Sequence, residues 1–66
     1  MNENKYVTLQ QFLKLADFIV TGGQAKFFLM ENEVVVNGEL ETRRGRKLYE
    51  GDLVVVDQKE FIIHVS

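Results

Sequence analysis

Val34-Val35-Val36 runs directly into Asn37-Gly38, and this junction limits the fold more than any other stretch of the chain. Both turn residues tolerate positive φ, which a two-residue hairpin turn matched to strand twist requires. Glu39-Leu40-Glu41 is therefore predicted as the returning strand. Further on, Leu48 resumes extended chain, Glu50-Gly51-Asp52 reads as a turn, and residues 53–57 and 60–65 form two β-branched segments joined around Gln58-Lys59. Leu53-Val54-Val55-Val56 and Phe61-Ile62-Ile63 are apolar at successive positions, so their second face curls over the core or meets another surface.

Two helices precede the sheet. Thr8-Leu9-Gln10-Gln11 and Thr21-Gly22-Gly23-Gln24 both fit the capping box, in which a threonine hydroxyl accepts from the amide three residues on and the glutamine side chain reaches back. After the first, Leu9, Phe12, Leu13 and Ala16 fall on one helical face, extended by Phe18 and Ile19. After the second, Ala25, Phe28 and Leu29 repeat the spacing. Asn32 is expected to close the second helix in the left-handed conformation. Helices this short are marginal alone in water, so they must pack together and on the sheet. Helix, helix, then antiparallel strands predicts an α+β domain with both helices on one face of a small curled sheet.

Charge is segregated. Arg43, Arg44, Arg46 and Lys47 supply half of the 8 basic residues within a span that holds no acid; Lys5, Lys14, Lys26 and Lys59 against 10 acids leave the remainder at −6, and the whole chain at −2. A local anion site on a surface that elsewhere repels polyanions follows, and nucleic acid is the commonest large anion of a cytoplasm. A chain of 66 residues buries only about 60% of its unfolded surface and has little room for a deep substrate pocket, which argues against a small-molecule substrate. Cysteine is absent, so there is no disulfide, thiolate nucleophile or cysteine zinc site. No apolar signal core opens the chain, and no apolar run nears the ~18 residues of a membrane span; a cytoplasmic protein without membrane contact is expected. No linker composition, repeat or proline divides residues 1–66, which read as one domain.

The helix, Thr21-Gly22-Gly23-Gln24-Ala25-Lys26, the second helix, Val34-x-Val36-Asn37-Gly38, the basic loop and Lys47-Leu48-x-x-Gly51-Asp52-x-Val54-x-Val56 together resemble the RNA-binding domain named after small-subunit ribosomal protein four. The resemblance covers about residues 7–57. It is nearest to the stand-alone bacterial forms, the YaaA and YbcJ types, rather than to copies appended to pseudouridine synthases or tyrosyl-tRNA synthetase. It implies the αL motif and binding of structured RNA, ribosomal or transfer RNA, through the second helix and the loop after the hairpin.

Carried onto this chain, the resemblance points to Thr21, Gly22, Gly23, Gln24 and Lys26 at the second helix and to Arg43, Arg44, Arg46 and Lys47 in the loop. The glycines leave backbone amides open to a phosphate at a helix start. Arginine's planar fork grips phosphate through two bonds or stacks on a base, and Gly45 lets the loop adapt. Many members carry an arginine near the start of the second helix where this chain has Gly23. Capping accounts for Thr21 and Gln24, and turn geometry for Asn37-Gly38, without RNA. Phe27 and Tyr49 are candidates for base stacking or for rim packing. On this reading Arg43→Glu with Arg46→Glu removes RNA binding and leaves folding intact.

The competing class is a protein-interaction adaptor whose arginine loop grips an acidic partner. Salt separates the two: four phosphate contacts give a log-log slope of about −3, whereas adaptor contacts through the apolar strands hold or tighten. Weak self-association through Leu53 to Val56 fits either class. No enzyme is expected. Gly22-Gly23-Gln24 spells the tripeptide of peptide release factors but sits within a capping box, and His64, the single histidine, has only Ser66 as a nearby serine, so no triad forms. Glu31 with Glu33 and Glu39 with Glu41 read as helix-end and strand-surface charges rather than a metal site. No cofactor is implied.

Overall fold

A computed structural model describes residues 5–65, so Ser66 and the first four residues lie outside the described part. In chain order the elements are β1 (Val7–Thr8), α1 (Leu9–Leu15), α2 (Gln24–Glu31), β2 (Val34–Val36), β3 (Glu39–Leu40), β4 (Lys47–Leu48), β5 (Leu53–Val56) and β6 (Lys59–Ile62). The domain is α+β, with strands in two antiparallel sheets: a four-stranded sheet of order β3-β2-β5-β6 and a separate β1-β4 pair. The pair, which aligns Val7 with Leu48 and Thr8 with Lys47, has no counterpart in the sequence reading.

Each start and stop has a local cause. Thr8 caps α1 through the full reciprocal box: Gln11 N donates to Thr8 Oγ1 at 3.2 Å and Thr8 N to Gln11 Oε1 at 2.9 Å. The helix ends where Asp17 takes φ 66°, letting the Phe18 amide reach the Leu13 carbonyl at 2.9 Å. That bond is the signature of a helix closed by a left-handed residue. The expected left-handed stop at Asn32 is not made. Asn32 is extended, at φ −129°, because the chain passes straight into β2, and both its backbone and side-chain amides donate to the Phe28 carbonyl.

The hairpin forms at Asn37 (φ 51°) and Gly38 (φ 87°). Asn37 also reaches across the sheet: its Oδ1 accepts from Leu53 N at 2.9 Å, and its Nδ2 donates to Asp52 Oδ1 at 3.2 Å. Asp52 in turn holds the Tyr49–Asp52 turn by accepting from Tyr49 N at 2.8 Å. The Val-x-Val-Asn-Gly and Gly-Asp-x-Val blocks are thus bonded to each other. The last turn falls at Asp57-Gln58, both at positive φ, one residue earlier than expected, and β6 is shorter than the 60–65 segment.

Val34, Val36, Val54 and Val56 point inward and are fully buried with Leu9, Leu13 and Leu48. Strand alternation then sends Leu40, Val35, Val55, Leu53 and Ile62 to the outer face. A chain of aromatic contacts fastens helices to sheet, with ring centroids 5.4 Å apart for Phe12–Phe61, 5.7 Å for Phe61–Phe18 and 5.5 Å for Phe18–Phe28.

Candidate nucleic-acid interface

The basic loop runs from the end of β3 into β4, and its backbone completes α1. The Arg46 carbonyl accepts from Leu9 N at 2.8 Å and the Arg44 carbonyl from Gln10 N at 2.9 Å, satisfying two amides that a helix start leaves without partners. Gln10 continues toward α2: a Cβ placed on Gly22 would stand 2.5 Å from its Nε2. Loop, first turn of α1 and approach to α2 therefore form one surface with Gln10 at its centre. Gln10 was absent from the sequence-derived site, because only its tertiary position gives it a role.

The approach to α2 differs from the expected box. The helix begins at Gln24 with Gly23 as cap, and the Thr21 hydroxyl caps nothing. Instead Gln24 Oε1 accepts from Val20 N at 2.6 Å and Thr21 N at 3.1 Å, while the Gln24 and Ala25 amides bond back to the Thr21 and Gly22 carbonyls at 3.1 Å each. Half of the box survives, with a tight backbone turn in place of the hydroxyl. Within this turn, the amides of Gly22 and Gly23 have no acceptor among the described residues. Gly23 is exposed with open space around its α-carbon, whereas Gly22 is packed against Gln10. A side chain at Gly22 would therefore displace the end of Gln10.

Within the loop the four cations divide. Glu41, expected as a strand-surface charge, is only 6% exposed and gathers five donors. Arg43 Nε and Nη2 reach it at 3.0 and 3.1 Å, Arg46 Nη1 at 2.8 Å, and the amides of Thr42 and Arg43 at 3.1 and 2.9 Å. The side-chain hydrogen bonds from Arg43 lead the causes that lower its pKa to about 2 against the opposing cost of burial, and they raise that of Arg43. Arg43 and Arg46 are thus tied to an internal carboxylate. Replacing both by glutamate would set three carboxylates together, so that double variant cannot leave folding intact as the sequence reading expected.

Arg44 and Lys26 make no salt bridge among the described residues, and both are exposed. Lys47 lies over the Tyr6 ring with Nζ 5.1 Å from its centroid, and Tyr6 contacts Tyr49 at 5.9 Å between centroids. Arg43, Gly45, Arg46, Lys47 and Tyr49 line a shallow groove of about 510 Å³. Lys26 and Thr42 share a second, of about 580 Å³, between α2 and the end of β3. Of the two aromatic candidates, Tyr49 belongs to the cationic groove. Phe27 lies away from it, beside Asp17 and Glu31.

No catalytic grouping accompanies this surface among the described residues. His64 is exposed beyond the end of β6 with Nδ1 2.9 Å from Glu50 Oε2, and Glu50, which also accepts from Val65 N at 2.7 Å, has its pKa lowered first by that backbone bond and then by the histidine. None of the described helices is long and apolar enough to cross a membrane.

A family model described as S4 domain matches residues 1–64. The chain is 58% identical over 55 residues to a probable ribosome maturation protein, RlbA, of Bacillus subtilis (strain 168), an alignment covering 83% of this chain and 78% of that protein. No solved structure gives a significant match.

Proposed function

The chain belongs to the S4 domain family, and from that premise we propose that it binds structured RNA, ribosomal or transfer RNA, without catalysing a reaction on it. The relative's name, a probable ribosome maturation protein, favours ribosomal RNA of an assembling particle in the bacterial cytoplasm. The observation that carries the reading is the continuity of the surface. Loop carbonyls cap α1, and Gln10 spans from that cap to Gly22, so unpaired cations and free helix-start amides share one frame.

The residues take distinct roles. Arg44, Lys47 and Lys26 neutralise phosphates, and the amides of Gly22 and Gly23 donate to one more phosphate oxygen at the start of α2. Thr21 and Gln24 shape that turn. Arg43 and Arg46, held by Glu41, set the loop's curvature. Tyr49 and Tyr6 offer ring faces beside Lys47 on which an unpaired base can stack. Two anion sites on a rigid frame reward a folded RNA over a flexible strand, while the acidic remainder of the chain repels polyanions that do not fit.

The test is binding to ribosomal RNA fragments by Arg44→Glu with Lys47→Glu, and separately by Lys26→Glu. Both variants keep the wild-type melting temperature and lose affinity. With three cations free rather than four, the wild-type slope of log affinity against log salt is about −2. Affinity unchanged in the double variant, or indifferent to salt, refutes the reading and leaves the acidic-partner adaptor.

A further inference from the structure

On the side of α2 away from Lys26, the turn after α1 and the helix enclose a groove of about 400 Å³ whose chemistry is the reverse of the RNA face. Its floor is Phe18 and Phe28. Val20 and Phe27 stand on its walls 81% and 61% exposed, large apolar groups that folding leaves in water. Asp17 and Glu31 also line it, neither makes a salt bridge among the described residues, and no basic residue joins them. Helical geometry accounts for the separation. Gln24, Phe27 and Phe28 line this groove alone and Lys26 and Met30 the other alone, while Glu31, at the end of α2, borders both.

We propose that this groove docks a protein segment of alternating basic and apolar residues, seating an apolar side chain between Val20 and Phe27 and a lysine or arginine against Asp17 and Glu31. Contiguous exposed apolar surface marks interaction sites, and Val20 and Phe27 border the same groove over the Phe18 and Phe28 rings. Charge complementarity selects the occupant. Two carboxylates without a cation repel RNA phosphates and anionic lipid alike, and an acidic peptide would meet the same repulsion. With RNA held across the other side of α2, the helix becomes a partition between a nucleic-acid face and a protein face. The inference does not depend on the RNA reading: Glu31 and Asn32 border both grooves, but Asp17, Val20 and Phe27 line this one alone.

The test is an amide chemical-shift titration of the full chain with the synthetic peptide Lys-Leu-Lys-Leu-Lys-Leu-Lys, beside versions carrying glutamate for lysine or serine for leucine. Shifts concentrated at Val20, Gln24, Phe27 and Glu31 with the first peptide alone support the site. Asp17→Asn with Glu31→Gln then weakens its affinity about fivefold, and Phe27→Ala weakens it about tenfold, with melting temperature unchanged in both and RNA binding unchanged in Phe27→Ala. Asparagine at position 17 retains tolerance of the left-handed backbone, and Phe27 and Glu31 are exposed, so these variants fold. Equal shifts with the serine peptide, shifts centred elsewhere, or groove signals that move with protein concentration before any peptide is added each overturn the proposal, the last by making a second copy of the chain the occupant.

Discussion

Removing the charge of Glu41 is the sharpest test of how the loop is held. Glu41→Gln keeps one acceptor oxygen but leaves the Arg43 fork and Arg46 facing a neutral amide. A carboxyl lowered from 4.5 to about 2 on folding contributes about 3 kcal/mol at neutral pH. Arg43, whose side chain is 73% exposed, shares its charge with solvent, which leaves about 2 to 3 kcal/mol for the group of bonds. A domain of this length has a total stability of roughly 3 to 10 kcal/mol, so the melting temperature should fall by roughly 10 to 20 °C. The sign with pH follows from a depressed pKa. The contribution is complete above about pH 4.5, where the unfolded carboxyl is also ionised, and is lost as pH falls toward 2. Wild type and Glu41→Gln should therefore differ most at pH 7 and converge on acidification, with about 1 kcal/mol of difference left at pH 3. Urea melts followed by circular dichroism at pH 7, 4 and 3 read this directly. A difference below about 0.5 kcal/mol at pH 7, or one that stays constant with pH, would refute the account of Glu41 as the loop's internal anchor.

Three further outcomes are expected. Asp57→Asn with Gln58→Gly relieves two left-handed residues in the last hairpin and should raise stability by about 1 kcal/mol in urea melts; no gain would mean that the wild-type side chains compensate. Gly23→Arg enters open space beside the start of α2, so folding is unchanged while RNA affinity rises roughly threefold and the salt slope steepens by about 0.7; an unaltered slope would place position 23 off the RNA path. Gly22→Ala pushes the flexible end of Gln10 aside, costing less than about 1 kcal/mol of stability but weakening RNA binding, and equal affinity would remove Gln10 from the interface.

The elements legible in the sequence were those set by contacts within a few residues. The Thr8 box and the Asn37-Gly38 turn involve neighbours in the chain, and both form as read. The β1-β4 pair escaped because two-residue strands have no periodicity and their partners lie some forty residues apart. Glu41 was misplaced for another reason: its charge suggested solvent, whereas strand alternation from Val34 and Val36, with Leu40 outward, turns it inward. That signal was present and was outweighed by residue type. The basic loop was found as a patch, but its division into anchored and free arginines depends on distances that charge counting does not contain. The left-handed residue expected at Asn32 is found instead at Asp17, for which the sequence suggested nothing, since either side chain tolerates that region and only the onward path of the chain decides which must adopt it.

The capping of α1 by Arg44 and Arg46 carbonyls also fixes an order of events as the chain is made. α1 has only seven residues, too few to persist alone, and two of its first amides await acceptors that are synthesised roughly thirty-five residues later. The N-terminal helix therefore cannot mature until the loop has emerged, and closing that long segment is a late, entropically costly step. Because the same step brings Gln10 and the free cations together, a partly made chain carries the basic residues without the surface that arranges them. On the proposed function, RNA recognition then follows completion of the fold rather than synthesis of the basic loop.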